Sequence, residues 1–140
     1  QSGMMMVRQL EFGLFDFLLH RDFESGHDNQ VYEVLDQVRE KVAVMAASPF
    51  NRFPHAFGHI FGGGYAAGYY SYRWAEVLSA DAFSRFREEG IFNRQTGEKF
   101  LAAILEQGGS EDPMDMFVAF MGREPSIDAL LRQEGITGRD

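Results

Sequence analysis

From residue 5 to residue 20 the apolar side chains Val7, Leu10, Leu14, Phe17 and Leu18 return every three or four positions, and Phe12, Phe15 and Leu19 widen the stripe. That period stacks side chains on one face of a helix, whereas a half-buried strand needs strict alternation. The width of the stripe predicts a helix buried on more than one side. A second helix is predicted after the polar turn region 23–29, with Asn29 as N-cap and Val31, Leu35, Val38, Val42 and Met45 along one face. Ser48-Pro49 ends it, and Phe53 to Phe61 reads as extended or irregular chain. After Gly62-Gly63-Gly64 the longest helix is expected from about Tyr65 to Glu88, stopped by Gly90.

Three shorter helices complete the pattern. Phe100, Leu101, Ile104 and Leu105 mark the first, which Gly108-Gly109 ends. Ser110 is the expected cap of the next, whose core face would be Met114, Phe117, Val118 and Met121. The last runs from Ser126 to Gly135, with Ile136 folding back on Leu130 or Leu131. There is no repeat, no low-complexity segment and no convincing strand pair, so the fold class is all-α.

A chain of 140 residues is the size of one domain, and 1–140 is read as a single unit of organisation. Fourteen Phe, five Tyr and seven Met are nevertheless many large groups for so small a unit to hide, which fits a piece of something larger. A formal charge of −8, with no basic patch, argues against a nucleic-acid partner. Cysteine is absent, which removes disulfides, thiolate metal sites and thiol nucleophiles and points to the cytoplasm. No apolar stretch approaches the roughly 20 residues of a membrane span. The opening Gln1-Ser2-Gly3-Met4-Met5-Met6 lacks the order of a signal peptide and reads as a tag scar or a cut within a longer chain.

Two segments could carry chemistry. His55-Ala56-Phe57-Gly58-His59 has the histidine spacing of the zinc motif HExxH, which works because residues four apart share a helix face. Ala56 stands where the general-base glutamate belongs, and Pro54 and Gly58 disfavour a helix there, so His55 is read as a packing or hydrogen-bonding residue. Tyr65, Tyr69 and Tyr72 are spaced i, i+4, i+7, which on a helix would align three phenols opposite the small residues Ala66, Ala67 and Gly68. A phenol O–H can donate to an oxyanion developing on a polarised carbonyl. An aromatic stripe is more commonly core, yet tyrosines directly after three glycines suit a gated polar cleft. Trp74 is read as core, and Glu76, Asp16, Asp36, Glu88 and Glu89 as surface carboxylates; His20 and His27 near a turn call for no special role.

Taken together, Phe53-Pro54-His55-Ala56-Phe57-Gly58-His59-Ile60-Phe61 and the segment from Gly63 to Val77 closely resemble the thimet oligopeptidase family of zinc metallopeptidases. The run MVRQLEFGLFDF from Met6 and the downstream strings GIFN, TGEKF, ILEQGGSEDPM, GREP and DALL extend the resemblance over essentially the whole chain. Met121 stands where the family often has Arg. The resemblance implies a C-terminal, multi-helix portion of a zincin-type oligopeptidase catalytic domain, with an irregular His/Gly-rich loop before the longest helix. It implies that His59 contacts substrate near the scissile bond, that Tyr65 belongs to a glycine-rich loop (Gly62, Gly63, Gly64) closing over the peptide, and that Tyr72 stabilises the oxyanion. Tyr69 would share that face. The zinc ligands and the motif glutamate would lie before Gln1, so zinc is expected in the parent enzyme and none in this chain.

The expected function is thus part of a zinc-dependent endopeptidase acting on short peptides, inactive as an isolated chain. Its partners would be peptide substrates and the rest of the catalytic domain, or a second copy of the chain covering the same apolar surface. A non-enzymatic helical module gripping a peptide or partner helix is the alternative.

Overall fold

The computed structural model describes residues 2–137. Among them the regular structure is helical, with no strand: α1 Ser2–Asp22, α2 Gln30–Val42, α3 Phe53–Ala56, α4 Gly58–Phe61, α5 Ser71–Glu89, α6 Arg94–Phe100, a π-helical turn Leu101–Leu105, α7 Pro113–Met121 and α8 Asp128–Gln133. The all-α expectation holds. The chain divides into two compact units, Gln1–Arg73 and Trp74–Asp140.

In the N-terminal unit, α1 and α2 pack around Phe15, Leu19, Val34 and Leu35, with Phe57, Ile60 and Tyr69 completing the core. The α1 face differs from the expected one. Leu10, Leu14 and Phe17 are exposed, while Phe15 and Leu19 are buried and Phe12 lies against them. Both faces of this helix are apolar, so periodicity alone could not say which one this unit covers. Phe15 is wholly buried, and truncating it to alanine removes on the order of 3–5 kcal/mol. Arg39 Nε donates to Glu11 Oε1 at 2.9 Å, tying α2 to α1. At the end of α1, Gln30 bridges the connection by donating to Asp22 O at 2.6 Å and accepting from Glu24 N at 2.8 Å.

Helix α2 ends at Val42, so Met45 lies beyond it and is exposed, and Val34 joins Leu35 and Val38 on the buried face. Asn29 occupies the N-cap, but its side chain makes no capping bond; its carbonyl accepts from Tyr32 N and Glu33 N instead. Residues 53–61, expected to be extended or irregular, form the two single turns α3 and α4. Pro54 is favourable in the first turn because its missing N–H would be unpaired there anyway. The longest helix is α1 and not α5, which begins only at Ser71.

In the C-terminal unit, Phe86, Phe100 and Phe120 pack ring on ring, with centroids 5.2–6.0 Å apart. Gly90, at φ +108, stops α5 as expected. Asn93 caps α6 by accepting from Gln95 N and Thr96 N. The cap of α7 is Asp112, which accepts from Met114 N at 2.8 Å, and not Ser110. Pro113 follows at the first helical position, the usual partner of such a cap. Phe117 and Phe120 form the buried face of α7, while Met114 and Val118 remain partly exposed. Ser126 Oγ accepts from Asp128 N at the start of α8, and Ile136 N bonds back to Leu131 O at 2.9 Å past Gly135 at φ +70. Ile136 itself stays 54% exposed, and Trp74, expected in the core, is 52% exposed.

A buried carboxylate fastens this unit. Asp81, on α5 and 2% exposed, accepts two bonds from the Arg123 guanidinium at 2.6 and 2.7 Å and one from Ser126 N at 2.7 Å. The Arg123 hydrogen bonds pull the Asp81 pKa below the usual carboxylate value; burial opposes them, and the Ser126 N–H and the guanidinium charge add to the lowering.

Candidate substrate-binding site

The site grows from how the chain leaves α4. Gly62 N and Gly63 N both donate to Gly58 O, at 2.9 and 2.8 Å, and Tyr65 N donates to His59 O at 3.1 Å. The chain folds so tightly that a Cβ on Gly63 would stand 3.0 Å from the Cα and carbonyl oxygen of His59, so no side chain fits without movement of the backbone. Gly64, at φ +80, is in the left-handed region that glycine alone enters freely.

Residues 65–70 then form successive turns rather than helix, with Gly68 N on Tyr65 O at 2.8 Å and Ser71 N on Gly68 O at 3.1 Å. Ala67 sits at φ +54, a conformation that costs a residue with a Cβ roughly 1–2 kcal/mol. Asp16 supports it. Read from the sequence as a surface carboxylate, Asp16 is fully buried: Oδ1 accepts from Ala67 N and Oδ2 from Tyr69 N, both at 2.9 Å. His20 Nδ1 lies 2.9 Å from Oδ1 and 2.8 Å from the Asp16 carbonyl oxygen.

Only Tyr72 of the three tyrosines is helical, so their convergence does not come from i, i+4, i+7 spacing on one helix. They meet all the same. The rings of Tyr65 and Tyr72 stack at 5.1 Å with 27° between planes, and Tyr69 is 5.1 Å from Tyr72. The His59 ring is 5.8–6.1 Å from all three. His59, Tyr65 and Tyr72 are exposed. Tyr69 is buried, its ring on Phe12 and Phe57 and its hydroxyl donating to Gln9 Oε1 at 3.1 Å. Hydrogen bonding to Tyr65 is the main reason that the Tyr72 phenol is pushed above its ordinary pKa, and loss of water around it adds to the effect. Desolvation raises Tyr69 likewise. Near neutral pH both therefore keep the O–H proton that a hydrogen-bond donor needs.

His55 lies apart from this face. Its Nε2 is 3.1 Å from the Tyr32 hydroxyl, and Phe57, at φ −89 and ψ 59, interrupts the helix between α3 and α4. His55 and His59 thus do not share one continuous helix face. Among the described residues no group of three or more His, Cys, Asp or Glu is placed to hold a metal ion, and no helix is long and apolar enough to cross a membrane.

Residues 1–136 match Peptidase family M3. The chain belongs to that family. It is 59% identical over 138 residues to oligopeptidase A of Escherichia coli (strain K12), covering 99% of this chain and 20% of the relative. Against oligopeptidase A of Haemophilus influenzae the identity is 60% over 136 residues, 97% of this chain and 20% of the relative. Against the probable cytosolic oligopeptidase A of Arabidopsis thaliana it is 46% over 140 residues, 97% of this chain and 20% of the relative. This M3 chain spans about a fifth of the length of the curated relatives it matches. Two residues of the candidate site are not legible as such from the sequence: Asp16, which reads as a surface carboxylate, and Gln9. Asp16 did carry a signal: an acid between Phe15 and Phe17, in a run otherwise apolar from Phe12 to Leu19 apart from Gly13.

Proposed function

We propose that this chain supplies the substrate-binding and oxyanion-stabilising face of a zinc-dependent endopeptidase that hydrolyses short peptides, the whole of 1–140 being a portion of one catalytic domain. The observation that carries the reading is the meeting of the exposed phenols of Tyr65 and Tyr72 with His59, beside a loop that the glycine run folds tightly. The name oligopeptidase A, borne by relatives matched over nearly the entire chain, supports the choice of substrate.

Tyr72 and Tyr65 are the donors to the carbonyl oxygen of the scissile peptide as charge builds on it. A donor already oriented costs little reorganisation at that moment. His59 contacts the peptide near the same bond, Tyr69 forms the floor beneath, and the backbone of Gly62, Gly63 and Gly64 lets the loop approach the substrate chain closely. Among the described residues no three-donor group is placed for a zinc ion, and His55 is engaged with Tyr32. The metal and its base would belong to the rest of the catalytic domain. The isolated chain is then inactive. Apolar side chains such as Phe50, 82% exposed, and Phe92, 98% exposed, would be covered by that remainder or by a second copy. The absence of cysteine fits a cytoplasmic setting.

In the full-length protein, Tyr72→Phe should lower kcat for a quenched fluorescent peptide by roughly 10²–10³-fold while KM changes little, the mark of a group that acts in the transition state. An unchanged kcat would remove the phenol from the chemistry.

A further inference from the structure

We propose that Asp16 is a positioning residue whose buried carboxylate holds the 65–70 turn, so that Tyr65 and Tyr72 face a bound peptide together. The inference rests on the peptide-binding role proposed above. Three observations converge on it. Asp16 is withdrawn from water completely, and both carboxylate oxygens are directed at backbone N–H groups of one turn, those of Ala67 and Tyr69, with the His20 imidazole nitrogen 2.9 Å from Oδ1. Ala67, one of those donors, is the one described residue other than glycine at positive φ, a strained conformation that persists only where surroundings enforce it. Tyr69, the other, is held at both ends, by Asp16 at its N–H and by Gln9 at its hydroxyl, and Tyr72 and His59 lie against its ring.

A carboxylate suits this task because it has acceptors at both oxygens and no donor. Asparagine would offer one oxygen and turn an NH₂ group towards the second N–H, so one half of the clamp would become repulsive. A structural cap serving stability alone would leave the tyrosines in place once the protein is folded. Asp16 as proposed acts through them: losing it releases Ala67 from its left-handed conformation, and the turn that carries Tyr65 and Tyr69 relaxes.

The test uses the full-length protein labelled with fluorotyrosine, well below its melting temperature, in the Asp16→Asn variant. Displacement of the Tyr65 and Tyr72 ¹⁹F resonances, assigned with single Phe variants, is expected, together with a kcat lowered roughly 10–100-fold. Adding Ala67→Gly, which makes the same turn conformation free of strain, should restore at least a third of the lost activity. Should Asp16→Asn fail to fold, Asp16→Glu, which keeps the charge but shifts it by one methylene, is expected to move the same resonances. Unmoved resonances in a folded Asp16 variant would overturn the proposal, as would strictly multiplicative effects of Asp16→Asn and Ala67→Gly. Displaced resonances and rescue by Ala67→Gly, in a protein whose turnover Tyr72→Phe does not alter, would instead uphold the clamp and refute the peptidase role given to the tyrosines.

Discussion

In the N-terminal unit Asp16 has no exposed surface and directs both oxygens at the backbone of a single turn; in the C-terminal unit Asp81, 2% exposed, receives a two-pronged guanidinium from Arg123 and one backbone N–H from Ser126. Each desolvated carboxylate is satisfied, as burial demands. Although the His20 imidazole nitrogen also lies 2.9 Å from Asp16 Oδ1, the difference lies in the backbone donors that reach both Asp16 oxygens. Backbone N–H groups are part of the conformation they stabilise, so Asp16 selects a turn geometry and with it the directions of nearby rings. A guanidinium on a long side chain fastens two segments without dictating the dihedral angles of either, so Asp81 secures the 122–126 loop to α5. Both units have phenylalanine rings in the interior, Phe15 and Phe57 in one and Phe86, Phe100 and Phe120 in the other, but in the N-terminal unit phenols and an imidazole also meet at the surface.

The contrast is open to attack from the C-terminal side first. Arg123→Ala strips the clamp from a buried charge and should cost about 2 kcal/mol, at or below the low end for a buried pair because the guanidinium is half exposed. Urea unfolding followed by circular dichroism would measure it, and a cost near zero would mean that the loop is held by its backbone contacts alone. Acid sharpens the same point. The folded pKa of Asp81 lies below its unfolded value of about 3.9, so its contribution is complete above that value and is lost as pH falls through the folded pKa. Melting temperatures taken from pH 6 down to pH 2 should therefore fall less steeply in Arg123→Ala than in the parent sequence. Equal slopes would show that the pair does not govern acid stability.

The smallest effect belongs to the tyrosines. Tyr69 and Tyr72 have raised pKa values, so the protonated phenols favour the fold below about pH 10, and that contribution disappears as pH rises through their folded values. Ultraviolet titration at the phenolate band should show a late component that Tyr72→Phe diminishes. A titration curve that Tyr72→Phe leaves unchanged in shape would place Tyr72 in water and away from Tyr65.

Much of this could be read without coordinates, for reasons that individual residues make plain. Gly90 and Gly135 end their helices where predicted, because local backbone preference decides a helix stop. The spacing predicts the meeting of Tyr65, Tyr69 and Tyr72, but through a helix starting at Tyr65: Gly64 and Ala67 take positive φ, and α5 begins only at Ser71. Ser110 was named as a cap in place of Asp112 because both types cap well, and only the position of Pro113 within the helix separates them. Asp16, Leu10 and Phe17 were assigned to the wrong environments, since a helix with apolar residues all round does not announce which side meets a neighbour.

The helical class, the punctuation by glycine and proline, and the residues carrying phenol and imidazole were determined by the sequence alone, because each depends on residues a few positions apart. Which carboxylate is buried, which face of α1 packs, and why the tyrosines converge were decided only in three dimensions. Asp16 is separated by 51 residues from Ala67 and by 53 from Tyr69, and a hydrogen bond across that interval exists only once the chain has folded.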